Sequence, residues 1–509
     1  LRKIHNGESG FGAGEARVKR HKVPAIRSLR SIDFWSRLMQ ERVEYRGVWW
    51  LPSNSGNQVS GRVTFGPSEG VYLFLEGDFR DNVFYDELLS PPVIHGLSIT
   101  GKEITLIDCF QTDATPHIVK RKEEDKIFAE SKYLAQYMIV GGHYPGLEGV
   151  KLKRLMSSFS NLLAWTNREG LKVDFPSPIS IRCEHVDRRI AEGRINDEMN
   201  ASLMIYASTS WSGNVFSISE DAYVVIECKS LDLATLDRAM MKLRDLLTLC
   251  TSGAVFPKTE RGIVAVTPDG QSAWHDKEEI EILYRIHGYE QDPPASHWPQ
   301  MLLPFHVVQD RFQKIVQLWF SRYEELETTF DLYFAIQYGA SVYAEHRFLT
   351  YLQAIESYHR NRFSNNVAEP IVHGARIDRI MESVKAEDKA WLSERLQWSN
   401  EPSLRKRLKQ ILEHCGGLAD QFLDYVGNGV NRIVEIRNYL THHDPDSVAV
   451  KPDAIELFYL SRLFDLVLRT IFLKELGFEI SEIEERTKHT QLYRGLLEMK
   501  KDLQTKDAP

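Results

Sequence analysis

The chain has 509 residues, 43% of them apolar and 26% charged, with a formal net charge of -8. That length suffices for roughly two to four domains with cores of their own, and the mild acidity excludes a chain that coats nucleic acid by bulk charge while leaving room for a local basic groove. No apolar run reaches the ~20 residues of a bilayer span, and the five scattered cysteines (Cys109, Cys183, Cys228, Cys250, Cys415) form no C-x-x-C pair, so free thiols in a reducing cytoplasm are expected instead of a disulfide or zinc framework.

The chain opens on Leu1 with no secretory signal, and its native start is expected to differ from this residue. Residues 1–30 are Gly-rich and basic (Arg17, Lys19, Arg20, Lys22, Arg27, Arg30), which fits a mobile tail or an RNA-touching arm. Residues 31–300 read as a β-rich domain. Val48-Trp49-Trp50-Leu51-Pro52 is expected to open a strand. Val63–Phe65 and Val71–Leu75 flank the turn Gly66-Pro67-Ser68-Glu69-Gly70, and Leu97–Ile99 and Ile104–Ile107 flank Thr100-Gly101-Lys102-Glu103, so each pair predicts a hairpin. Leu203–Ala207, Tyr223–Glu227 and a segment around Gly262–Val266 add strands. Between the last two, Leu233, Leu236, Met240, Leu243 and Leu247 switch to helical spacing. The polar run Gln291-Asp292-Pro293-Pro294 suggests a boundary, and residues 301–509 read as all-α. Apolar spacing there predicts helices over Phe305–Tyr323, Leu332–His359, Ile371–Val384, Leu404–His414, Phe422–Leu440 and Ile455–Leu476. The fold class is therefore α+β and multidomain.

The stretch richest in chemistry is Arg437-Asn438-Tyr439-Leu440-Thr441-His442-His443-Asp444-Pro445. Arginine is a permanent cation whose planar fork grips phosphate, and histidine exchanges a proton near neutral pH. Together they are the minimum equipment for cutting RNA without a metal. Asp444-Pro445 stops the helix, since a residue before proline is pushed out of the α region. Residues five apart lie about 140° apart around an ideal helix. Arg437 and His442 therefore converge only if the last turn loosens or a second copy supplies part of the site. The alternative is that both merely complement the macrodipole at a helix C-terminus.

Two other stretches offer rival sites. Val224-Val225-Ile226-Glu227-Cys228-Lys229 carries E-x-K on a strand, half of a metal-dependent nuclease core, but lacks an obvious upstream aspartate. His443-Asp444 matches the pair of an HD phosphohydrolase, except that Pro445 ends the helix there. Phosphate-cradling P-loop glycines are absent.

The pattern Arg437-Asn438-x3-His442, with His443 as a second register, resembles the signature of the HEPN superfamily. The run Leu352-Gln353-Ala354-Ile355-Glu356-Ser357-Tyr358-His359-Arg360 is similar to the acidic helix that packs beside that motif. Glu356 and Arg360 fit either an ordinary i, i+4 salt bridge or support for the RNA-binding arginine. Gly47–Pro52, Gly61–Phe65, Ile94-His95-Gly96 and Gly101-Lys102 resemble the N-terminal domain of ApeA-type anti-phage proteins, in which that domain precedes a HEPN module. Trp49, Trp50 and His95 read as packing residues. The resemblance implies a cytoplasmic, metal-independent endoribonuclease of an abortive-infection system. Its substrate would be tRNA or other host RNA, with no cofactor and no membrane association. Arg437 would hold the phosphate, His442 would act as general acid or base and Asn438 would orient them. Glu356, Arg360 and His443 would support the site. It also implies a homodimer or higher homo-oligomer through the helical domain, and a phage protein as trigger. The open alternatives are a non-catalytic nucleotide- or protein-binding module, or the metal-dependent nuclease of Glu227 and Lys229.

Overall fold

The computed structural model describes residues 41–80, 88–119, 126–167, 172–177, 180–184, 188–212, 215–265, 279–290, 298–339, 342–423, 428–442 and 451–506. The basic tail, the Gln291–Pro294 boundary and the His443-Asp444-Pro445 run lie outside the described residues.

Strands β1 (Val43–Trp50), β2 (Val59–Gly66), β3 (Gly70–Leu75), β4 (Val93–Ser98), β5 (Glu103–Val119) and β6 (Lys126–Val140) pair antiparallel in the order β6-β3-β2-β1-β4-β5, and β5 returns to β6, closing a barrel. The two-residue period of these strands turns alternate side chains into the barrel interior. One register level runs Tyr45–Val63–Leu73–Tyr133 across β1, β2, β3 and β6, and all four side chains are buried. Trp49, wholly buried, lies opposite Gly96, where a Cβ would meet the indole at 2.2 Å, so glycine is needed there. Both expected hairpins form. Val48–Pro52, expected to open a strand, instead closes β1, because Pro52 begins a short 3-10 turn.

β7 (Lys151–Phe159) and helix α1 (Leu162–Thr166) follow, then β8 (Lys172–Ser177) and β9 (Ser180–Glu184), a separate hairpin. β10 (Arg188–Arg194), β11 (Asn200–Ser212) and β12 (Val215–Asp232) lead into helix α2 (Leu233–Thr251), followed by β13 (Pro257–Val264) and β14 (Glu279–Tyr284). These form an open sheet, β10-β11-β12-β7-β13-β14. It joins the barrel through β6, whose residues 131–135 pair with β3 and 137–140 with β14. The Asp232 carboxylate caps α2 by accepting from the Thr235 amide at 2.8 Å, and the predicted stripe Leu233, Leu236, Met240, Leu243 and Leu247 is buried.

The rest is helical, as expected from periodicity: α3 (Phe305–Val308), α4 (Phe312–Glu325), α5 (Glu327–Tyr338), α6 (Ala344–Arg362), α7 (Pro370–Ser383), α8 (Lys389–Leu396), α9 (Leu404–His414), α10 (Asp420–Leu423), α11 (Val430–His442), α12 (Ala454–Glu475), α13 (Ile480–Lys488) and α14 (Gln491–Lys506). Three expected helices are each divided. Phe305–Tyr323 breaks at a 3-10 turn, Gln309–Arg311. Leu332–His359 splits after Tyr338, where Gly339 is extended. Phe422–Leu440 splits because Asn428 and Gly429 take φ of 63° and 48°, left-handed values that no α-helix tolerates. The nearly continuous apolar α12 lies at the centre, with Phe472 stacked on Phe330 of α5 at 4.6 Å. Two indoles tie the halves together: Trp165 donates to the Leu303 carbonyl and Trp319 to that of Lys242, both at 2.7 Å. Cys109, Cys250 and Cys415 are buried free thiols and Cys228 is a partly buried one. Among the described residues no helix is long and apolar enough to cross a membrane.

Candidate functional site

Helix α11 buries Ile433 and Ile436. Arg432 fastens it to α12 by a two-point ion pair with Glu456, at 2.8 and 2.7 Å. That anchoring fixes the rotation of the helix and turns Arg437, one position past Ile436, towards α6. Arg437 is half-buried, and its Nη1 donates to Asn438 Oδ1 at 3.3 Å. Thr441 Oγ1 donates back to the Arg437 carbonyl at 2.7 Å. Among the described residues no carboxylate pairs with Arg437.

Helix α6 presents two faces. Phe348, Tyr351, Leu352, Ile355 and Tyr358 are buried in the core. Gln353, Glu356, Ser357 and Arg360 recur at spacings of three and four on the outer stripe. That stripe, with Arg437 and Thr441 from α11 and Thr328 from α5, walls a cleft of about 500 Å3. Three expected residues therefore meet: Arg437, Glu356 and Arg360. His442 and Asn438 are exposed and do not line it. The reason is rotational. The last turn of α11 stays helical through His442, so Thr441, four residues on, shares the face of Arg437 while His442 points about 140° away. His443 lies outside the described residues.

The i, i+4 bridge between Glu356 and Arg360 does not form. Arg360 instead reaches Glu401 at 3.2 Å, and the same Glu401 oxygen accepts from Arg407 at 3.1 Å. Arg407 is buried and also donates to the Pro402 carbonyl, Asn365 Oδ1 and His359 Nδ1. His359 Nε2 faces Gln410 Oε1 at 2.9 Å. With Nδ1 accepting and Nε2 donating, the imidazole is neutral. Burial, reinforced by the nearby cations Arg407, Arg360 and Lys406, lowers its pKa. Glu401 and Arg407 gave no sequence signal, since both act through contacts distant along the chain. Gln353 and Ser357 did give one, the polar stripe on an otherwise apolar helix.

The E-x-K reading is not supported. Both Glu227 oxygens are taken by arginines, Arg154 at 2.6 Å and Arg189 at 2.8 Å, and Lys229 is exposed. Among the described residues no three His, Cys, Asp or Glu side chains converge as metal ligands. Trp50 and His95 pack as expected: Trp50 meets the rings of His95 and His143 edge-on, and His95 Nε2 donates to the Tyr144 carbonyl at 3.0 Å.

Comparison with protein families gives two matches. The ApeA N-terminal domain 1 model matches residues 44–319, more than half of the chain, and the Apea-like HEPN model matches residues 349–482. The second span contains Glu356, Arg360, Arg437 and His442. No curated protein and no solved structure matches the chain.

Proposed function

From the premise that this chain belongs to the ApeA family, its N-terminal domain followed by a HEPN domain, we propose that it is a metal-independent endoribonuclease of an anti-phage abortive-infection system. The observation that carries the reading is Arg437, an arginine without a carboxylate partner among the described residues, half-buried in a cleft beside Glu356.

RNA brings its own nucleophile. The 2′-hydroxyl loses its proton and attacks the adjacent phosphorus, charge builds on the phosphorane oxygens, and the 5′-oxygen leaves with a proton. The products are a 2′,3′-cyclic phosphate and a 5′-hydroxyl. Arg437 holds the scissile phosphate through charge-assisted hydrogen bonds. His442 transfers the proton, and Asn438, already bonded to Arg437, orients the pair. Glu356 and Arg360 shape the phosphate-binding wall. Because His442 lies outside the cleft of its own chain, a two-fold partner supplies it, so the working enzyme is a homodimer or higher homo-oligomer. The N-terminal domain acts as sensor, with a phage protein as trigger and host RNA such as tRNA as the target. The division into a tail (1–30), a sensor (31–300) and a nuclease (301–509) belongs to the same reading, as does a cytoplasmic setting.

The test is incubation of the protein with total cellular RNA in EDTA, with the cut ends mapped. Cleavage leaving cyclic phosphates, lost in Arg437→Ala and in His442→Ala, is the expected result. Undiminished cutting by Arg437→Ala sinks the assignment. Tight RNA binding without cleavage favours a non-catalytic binding module instead.

A further inference from the structure

A second cleft, of about 570 Å3, lies where the barrel, the open sheet and the helical half meet. Its walls come from β5 and β6 (Asp108, Phe110, Tyr137), the end of β14 and the residues after it (Tyr284, Arg285, His287), α2 (Arg244) and the last residue of α5, Tyr338. Its size and its place between domains are those of a small-molecule site.

The chemistry is an excess of cationic donors beside aromatic faces. The Arg244 guanidinium lies 3.9 Å from the Tyr338 ring centroid, and its buried Nε has no hydrogen-bond partner. Asp245 pairs with the guanidinium at 3.7 Å, and each of the Asp245 oxygens also accepts a tyrosine hydroxyl at 2.8 Å, Tyr338 on one and Tyr323 on the other. Arg285 and His287 are exposed on the rim and have no ion-pair or hydrogen-bond partner among the described residues. Phe110, 48% exposed, offers an aromatic ring to the same lining. Among the described residues the only acid in the lining is Asp108, held mid-strand at φ 53°, a strained backbone that marks a position fixed by its surroundings. Two guanidiniums fit a phosphate, an exposed ring fits a base, and one carboxylate fits a ribose hydroxyl or an exocyclic amine.

We propose that this joint cleft binds a nucleoside monophosphate, its phosphate on Arg244 and Arg285 and its base against Phe110. The site is separate from the Arg437 cleft, and the proposal stands whether or not RNA is cut. The two clefts share one element, however: α5 lines the Arg437 cleft with Thr328 in its first turn and the joint cleft with Tyr338 at its end. An occupant of one therefore touches the helix that walls the other.

The experiment is calorimetric titration of the full chain with AMP, GMP, CMP and UMP, with adenosine and inorganic phosphate as half-ligands. At least one monophosphate is expected to bind saturably, about tenfold or more tighter than either half-ligand. Arg285→Ala and Phe110→Ala, both at exposed side chains, are each expected to weaken it about tenfold, and Arg437→Ala to leave it unchanged. No saturable binding of any of the four overturns the proposal. So does binding that survives both joint-cleft substitutions, or binding that Arg437→Ala abolishes. Phosphate binding as tightly as the nucleotide overturns the aromatic half of the site.

Discussion

Arg360 reaches across to Glu401 at 3.2 Å and leaves Glu356, one turn back on its own helix, without an ion-pair partner among the described residues. That choice of partner decides the character of the Arg437 cleft. A Glu356–Arg360 bridge would neutralise the two charges against each other along α6. With Arg360 committed to Glu401, the Glu356 carboxylate faces the same space as the Arg437 guanidinium.

The proposed sharing of the site between two chains has a direct consequence. Equal amounts of Arg437→Ala and His442→Ala protein, each inactive alone, should regain activity after subunit exchange. Half the dimers are then mixed, and each mixed dimer keeps one intact Arg437–His442 pair, so roughly a quarter of wild-type cleavage is expected. A mixture as inactive as its components would place both groups in one chain and refute the sharing.

Glu356→Gln keeps the shape of the cleft and removes its charge. If Glu356 positions Arg437, kcat should fall on the order of tenfold with KM little changed, because misplacing a phosphate-holding group affects the transition state more than binding. The melting temperature should stay close to wild type, since no ion pair is lost. A fall in melting temperature with unchanged kcat would mark the residue as structural.

Acid should destabilise the helical half through His359. Burial and neighbouring cations lower its pKa below the ordinary histidine value, so the unfolded chain takes up the proton first. The stability contributed by the neutral ring is full above pH ~6.5 and is lost as the pH falls towards the folded-state value, at about 1.4 kcal/mol per pH unit for one proton. Urea midpoints at several pH values check this. His359→Gln, which titrates nothing, should flatten that slope, and an unaltered slope would assign it to other groups.

Alkali should act on the N-terminal half through Glu260. Its carboxyl is buried and pushed up to about 8, by burial first and then by the Asp237 charge, despite hydrogen bonds from Ser157 and Tyr284. The folded state holds this proton where the unfolded state has lost it. The contribution is therefore full below the ordinary glutamate range and declines as the pH rises to about 8. Glu260→Gln should reduce the decline, read as denaturation midpoints between pH 5 and pH 9. A decline as steep as wild type would exclude Glu260 as its source.

Taken alone, the sequence determined the succession of strands and helices, the two barrel hairpins and the α2 stripe. Those are local properties: residue period, turn chemistry and short spacings survive without knowledge of distant contacts. It misjudged helix continuity at Asn428-Gly429 and after Tyr338, because apolar spacing can persist through a break made by a few backbone angles. Only the tertiary structure decided that β6 serves both barrel and open sheet, that Glu401 takes Arg360 from Glu356, and that His442 faces away from the cleft of Arg437. Each depends on the rotation of a helix or the splitting of a strand edge, set by packing against residues far away in the chain, and one-dimensional spacing does not encode that rotation.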